Sequence, residues 1–294
     1  MRVTRLCAWA VLPAFAGLAA FSWHCERVLF SPSEALYDQA ADSESGGEAH
    51  ATQRLSQGPD FYRADYGFEN FNGDLLHIGY QAPRQAYDSY CAGFWYSRAV
   101  LDTLSGPDID SYLASRGFKR LSATVISVDV PAMIRRSSGP LKSLSSAFDR
   151  IAVQKGYDSE SLIGAVAAMV QTAIRFQIPP LEANGLRTGG ILPPVMTFIR
   201  GWGNCDSKTG LLGAILANWP NMRMIGITPP GHYLMGVLRI PARGDVFVEY
   251  RGLQYVLVEP AGPAWLPPGT VGVDTLPELN AAAGFRIEPF FDES

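Results

Sequence analysis

The sequence predicts an α+β fold, with helices in the middle of the chain and an antiparallel sheet towards its end. Three observations carry that reading. Residues 158–178 repeat apolar side chains at helical spacing, and residues 205–219 do so again behind a glycine-rich approach. Residues 222–261 then break into four short β-branched and aromatic runs parted by Pro and Gly.

Taken in order, "GDLLHIGYQA" (73–82) reads as a strand, and residues 88–106 and 108–118 read as helices. "KRLSATVISVDVPA" (119–132) reads as one extended strand, followed by a basic patch at 133–142. Helices are expected at 143–156 and 158–178. The second is capped by Asp158 or Ser159, has Glu160 in its first turn, and ends at Pro179-Pro180. In the last third, 222–228, 232–240, 245–252 and 253–261 read as strands of a meander, the last two forming a hairpin about Arg251-Gly252.

The first residues differ from the body. Arg2 and Arg5 precede residues 6–23, which hold no charged side chain. Residues 1–24 therefore read as a signal peptide or an N-terminal membrane anchor, with a buried helix as the plainer alternative. Both export readings place the rest in the periplasm or outside the cell, because the arginines favour the cytoplasmic side. Residues 25–60 are polar and rich in Gly, Ser and Glu over 31–58, and read as a flexible linker. The body divides into 61–150, which carries no legible motif, and 151–294, which carries the candidate chemistry.

With 294 residues, 47% apolar, the chain has material for one sizeable domain and a tail or for two small domains. A net charge of −4 with no long basic run argues against a nucleic-acid partner. Of the cysteines, Cys7 lies in the export segment. Cys25 and Cys91 could pair in an oxidising compartment, which leaves Cys205 as the odd thiol.

Cys205 sits in "GWGNCDSKTGLLGAIL" (201–216), where Asn204 is a good N-cap and Leu211, Leu212, Ile215, Leu216 and Trp219 form an apolar stripe. The first turn of a helix favours a thiolate and lowers a thiol pKa. A small buried residue sealing the helix start is the competing reading. His232 opens a strand 27 residues later, a span that fits one helix and one returning strand. It could be the base that makes the thiolate, or a merely hydrogen-bonded histidine. Glu259 closes a later strand just before Pro260, where it could orient the imidazole or simply face water.

"GWGNCDSKTGLLGAIL", "GHYLMGVL" and "YVLVEPAG" together resemble the cysteine, histidine and acidic blocks of the transglutaminase-like superfamily, bacterial cysteine protease/hydrolase type. "AAMVQTAIRFQIPP" and "TGGILPPVMTFIRGWGNC" resemble the helix and approach segment upstream of the cysteine in bacterial members. The resemblance covers about residues 155–265. It implies a papain-like core of helices packed on an antiparallel sheet, with the cysteine at a helix N-terminus. It also implies Cys205 as nucleophile, His232 as general base and acid, and Glu259 as orienting carboxylate. Oxyanion donors would be the Cys205 backbone N–H and the Gln171 side-chain amide; a surface glutamine is the alternative for Gln171. Asp206 and Lys208 are expected to stabilise the first turn and its surroundings. Three departures stand out: Glu259 replaces the usual aspartate, a single acid (Asp206) follows the cysteine, and an extra hairpin lengthens the interval to the acid.

The expected function is an exported cysteine acyl-transfer enzyme acting on peptide or amide bonds through a thioester, hydrolysing rather than crosslinking. Its expected partner is a peptide or protein substrate in the cell envelope, with the membrane as a second partner if residues 6–23 are retained. No cofactor and no metal are expected. A non-catalytic envelope module using the same groove, and a structural tethered protein, are the competing functions.

Overall fold

The structure, a computed structural model, describes residues 51–262, 264–281 and 284–291. The export segment, the greater part of the linker and the Cys25–Cys91 pairing lie outside the described residues.

The chain is mixed helix and sheet, as the periodicity predicts. It begins with a three-stranded antiparallel sheet in chain order: β1 (Ala51–Gln57), β2 (Phe61–Glu69) and β3 (Leu75–Pro83). Strand β1 corrects the expected linker, whose last residues pair with β2 from Ala51↔Phe68 to Gln57↔Tyr62. Its polar side chains gave no strand signal, because almost all of them face water. The sheet alternates cleanly, with Ala64, Tyr66, Phe68, Leu76 and Ile78 buried while Arg63 and His77 face out.

The long helix expected over 88–106 is instead α1 (Arg84–Ala92) and the single turn α2 (Arg98–Leu101). Trp95, at φ 65°, breaks the run, and its indole donates to the Ile191 carbonyl. Helix α3 (Pro107–Ser115) follows. The expected strand over 119–132 is two short ones, β4 (Phe118–Arg120) and β5 (Ile126–Val128). Asp129 then caps α4 (Val130–Ser138), so the basic patch lies on a helix.

Helices α5 (Lys142–Lys155) and α6 (Ser159–Ala168) match the predicted pair, and Asp158 caps α6 by accepting from the Ser161 N–H. The expected helix to 178 ends early. Its last turn, Met169–Ala173, is a π-turn, and the chain leaves it as the strand β6 (Arg175–Phe176). After a two-residue hairpin, β7 (Glu182–Ala183) and β8 (Leu186–Arg187), come α7 (Pro194–Arg200), β9 (Trp202–Gly203) and α8 (Cys205–Leu216). Helix α8 is buried on every side, well beyond the predicted stripe, which makes it the central helix.

The last sheet has five antiparallel strands: β10 (Met224–Thr228), β11 (Leu234–Leu238), β12 (Phe247–Tyr250), β13 (Leu253–Val258) and β14 (Arg286–Pro289). Their order is β12-β13-β11-β10-β14, not that of a simple meander. Tyr255 to Val258 are all buried, so β13 takes the inner place beside β11 while the half-buried β12 stays at the edge. Arg251 and Gly252, both at positive φ, form the predicted hairpin turn between them.

One face of this sheet contributes Met235, Val237 and Val258 to the main core, and the other covers a smaller cluster around Leu257 and Leu279. Tyr66 and Phe290 belong to that same main core. Residues 61–150 and 151–294 therefore share one interior across the boundary the sequence suggested.

Candidate functional site

The N-terminus of α8 is held from several sides. Asn204 Oδ1 accepts from the Ser207 N–H (3.2 Å) and from Ser207 Oγ (2.7 Å), as the predicted N-cap should. Asn204 Nδ2 donates to the Gly190 carbonyl (3.0 Å) and to Asp206 Oδ2 (3.1 Å). Ahead of the cap, Gly201 stands at φ 70°, and a Cβ there would lie 1.9 Å from Gln53 Nε2. That amide, from β1, donates to the Gly201 (2.7 Å) and Ala173 (3.2 Å) carbonyls. The strand read as linker thus clamps the approach to the cysteine.

Cys205 occupies the first position of the helix and is 6% exposed. Its thiol stands 3.9 Å from Asp206 Oδ2, and His232 lies close enough to act on its charge. His232, just ahead of β11, places Nε2 at 2.9 Å and 3.0 Å from the two Glu259 oxygens. Glu259 is 3% exposed, and its carboxylate also accepts from the Ala261 N–H (3.1 Å) and Thr275 Oγ1 (3.0 Å). The strand order makes this possible. Adjacent strands lie ~4.8 Å apart, and with β12 between β11 and β13 the acid would stand twice that distance away.

Three predicted residues therefore meet, and the fourth plays another part. Gln171 is 1% exposed, and its Nε2 donates to the Glu259 (2.6 Å) and Leu266 (2.9 Å) carbonyls while Oε1 accepts from the Leu266 N–H (2.9 Å). An amide so engaged has no hydrogen left for an oxyanion, nor is it at the surface. Gln171 instead pins the loop after Glu259, which packs so closely that a Cβ on Gly262 would fall 2.2 Å from the Gln171 carbonyl oxygen. At the start of α8 the cap takes up the Ser207 amide.

Burial is the largest influence on every charge here. It opposes a charged His232, but the Glu259 carboxylate and the hydrogen bonds to Cys205 and Glu259 outweigh it, holding the imidazole well above its ordinary pKa. Burial likewise opposes the Glu259 charge, yet His232 and the hydrogen bonds from His232, Ala261 and Thr275 hold it below the usual range. Cys205 departs from the expected lowered thiol: burial and the neighbouring Asp206 carboxylate raise it, against the pull of His232. Burial also raises Asp206 to about 6.

Sequence reasoning missed Thr275, which starts the short helix α9 (Thr275–Leu279), and Gln53; neither belongs to a pattern detectable along the chain. Among the described residues no group of three or more His, Cys, Asp or Glu could hold a metal ion, and no helix is long and apolar enough to cross a membrane. No protein-family model, curated protein or solved structure matches the chain.

Proposed function

We propose that this chain is an exported cysteine acyl-transfer enzyme with a transglutaminase-like, papain-like core, acting on peptide or amide bonds of a cell-envelope peptide or protein. The observation that carries the reading is the buried His232–Glu259 pair, with Cys205 beside it at a helix N-terminus. There Cys205 Sγ attacks the amide carbonyl carbon as the thiolate, with its proton held on His232. The C–N bond breaks as His232 returns the proton to the departing amine, leaving a thioester. Water attacks the thioester with His232 as base, the C–S bond breaks, and the thiol recovers its proton. Glu259 holds the ring in one tautomer and stabilises the imidazolium, and the Cys205 N–H faces the developing oxyanion.

An amine in place of water would crosslink by the same steps. Hydrolysis is the preferred outcome because it needs no second substrate site. Export rests on Arg2, Arg5 and the uncharged run 6–23.

The test is the pH dependence of iodoacetamide alkylation at Cys205, read by peptide mass spectrometry, in the wild type and in His232→Ala. The reading expects the rate at neutral pH to fall in the variant. A profile indifferent to His232 would leave a non-catalytic envelope module as the better account. A thioester trapped on Cys205 by an acylating probe, followed by release to water or to an added amine, separates hydrolase from transferase.

A further inference from the structure

Lys208 follows Cys205 by three residues in α8, so the two leave the helix on neighbouring sides. The lysine is 0% exposed. Its Nζ donates to the Ile174 (2.9 Å) and Gln171 (3.2 Å) carbonyls, at and just beyond the π-turn. A lysine ordinarily keeps its ammonium in water, and burying one beside carbonyls alone is costly. Burial pushes Lys208 down to about 7, while Glu259, and after it Cys205, pull it back up. These are the charged or titratable groups that act on it, and His232 lies between them; Asp206 acts on the thiol and Glu278 on the Glu259 side. A packing role would be filled by a methionine of similar length, so the charge itself needs a reason.

Two connections supply one. The Gln171 residue whose carbonyl receives the lysine uses its side chain to hold the Glu259 carbonyl and Leu266. Lys208 therefore reaches the carboxylate mechanically through the π-turn, and electrostatically through the interior. We infer that Lys208 is a positioning residue of the Cys205–His232–Glu259 unit, its buried ammonium fixing the π-turn under the Glu259 loop and favouring negative charge on Cys205 and Glu259. This rests on the acyl-transfer reading above.

The experiment is alkylation of Cys205 against pH in the full chain, comparing wild type, Lys208→Met and His232→Ala. Lys208→Met is expected to fold, and its thiol profile to move up so that the rate at pH 7 falls about tenfold, the effect of one pKa unit. If Lys208→Met follows the wild type while His232→Ala does not, the inference about Lys208 fails and the triad stands. If neither variant moves the profile, the triad reading itself fails. Should Lys208→Met not fold, the wild type decides. The chain has four lysines, and 13Cε-lysine spectra should show one resonance titrating near neutrality. That midpoint should fall in Glu259→Gln. Four lysines titrating together, or a midpoint indifferent to Glu259, would overturn the inference.

Discussion

His77 and His232 both belong to antiparallel sheets and both have a carboxylate in range, yet their settings have opposite consequences. His77 stands on the exposed face of β3, beside an Asp65 that Arg63 already pairs at 2.7 Å. Water and salt reach that face, so its charges are screened and its ion pair contributes little. His232 lies at the end of an inner strand with a side chain 10% exposed, and Glu259 with 4%. Removed from water, the same pairing becomes strong enough to settle the protonation of its members. Chemistry collects where the chain buries titratable groups beside one another, not where it carries most of them.

Cys205→Ala should break the contrast most completely. Thioester formation should be lost, a fall of at least ~10³-fold in turnover, with the fold intact because the position is small and buried. Intact-mass analysis with an acylating probe and circular dichroism check both halves.

Glu259→Gln comes next, with a fall of about 10²–10⁴-fold as the ring loses its orientation and counter-charge. Its stability signature carries a sign. Glu259, held below its ordinary 4.5, adds stability above that pH and loses it as pH falls through its folded value. His232, held above its ordinary 6.5, adds stability fully below that pH and loses it as pH rises through its folded value. The pair therefore stabilises most between about 4.5 and 6.5. Thermal midpoints across pH should show that advantage in the wild type and not in the variant.

Asp206→Asn should act in the other direction and more mildly. Removing the charge that raises the thiol should speed alkylation at pH 7 by about three- to tenfold. Because Asp206 titrates at about 6, the two profiles should merge below that pH. A difference persisting at pH 5 would show that the effect is not the charge. The smallest effect belongs to the outer sheet, where His77→Ala should leave alkylation and thermal midpoint where they were.

Much of the site was legible because its signals are local. Asn204 caps the next turn, the apolar run after it has helical spacing, and the strands ending at Glu259 and opening after His232 carry β-branched runs. The remainder depends on partners distant in sequence. Gln171 reads as an oxyanion donor or a surface glutamine until the Glu259 loop is seen to close over it 88 residues later. Gln53 reaches Gly201 across 148 residues, from a strand too polar to announce itself. Lys208 reads as a residue that stabilises the first turn and its surroundings, and its burial follows from what surrounds α8 on all sides. The inner place of β13 could be argued from its apolar run, but only with knowledge of what packs on both faces.

The π-turn at Met169–Ala173 is in effect an α-helix carrying one surplus residue. Each residue of an α-helix turns the chain by ~100°. Removing one residue from this turn would regularise the helix and swing everything after it around the axis. The Gln171 amide, the two carbonyls that receive Lys208 and the Ala173 carbonyl held by Gln53 would then lose their partners together. At this segment the chain should tolerate a change of letter far better than a change of length.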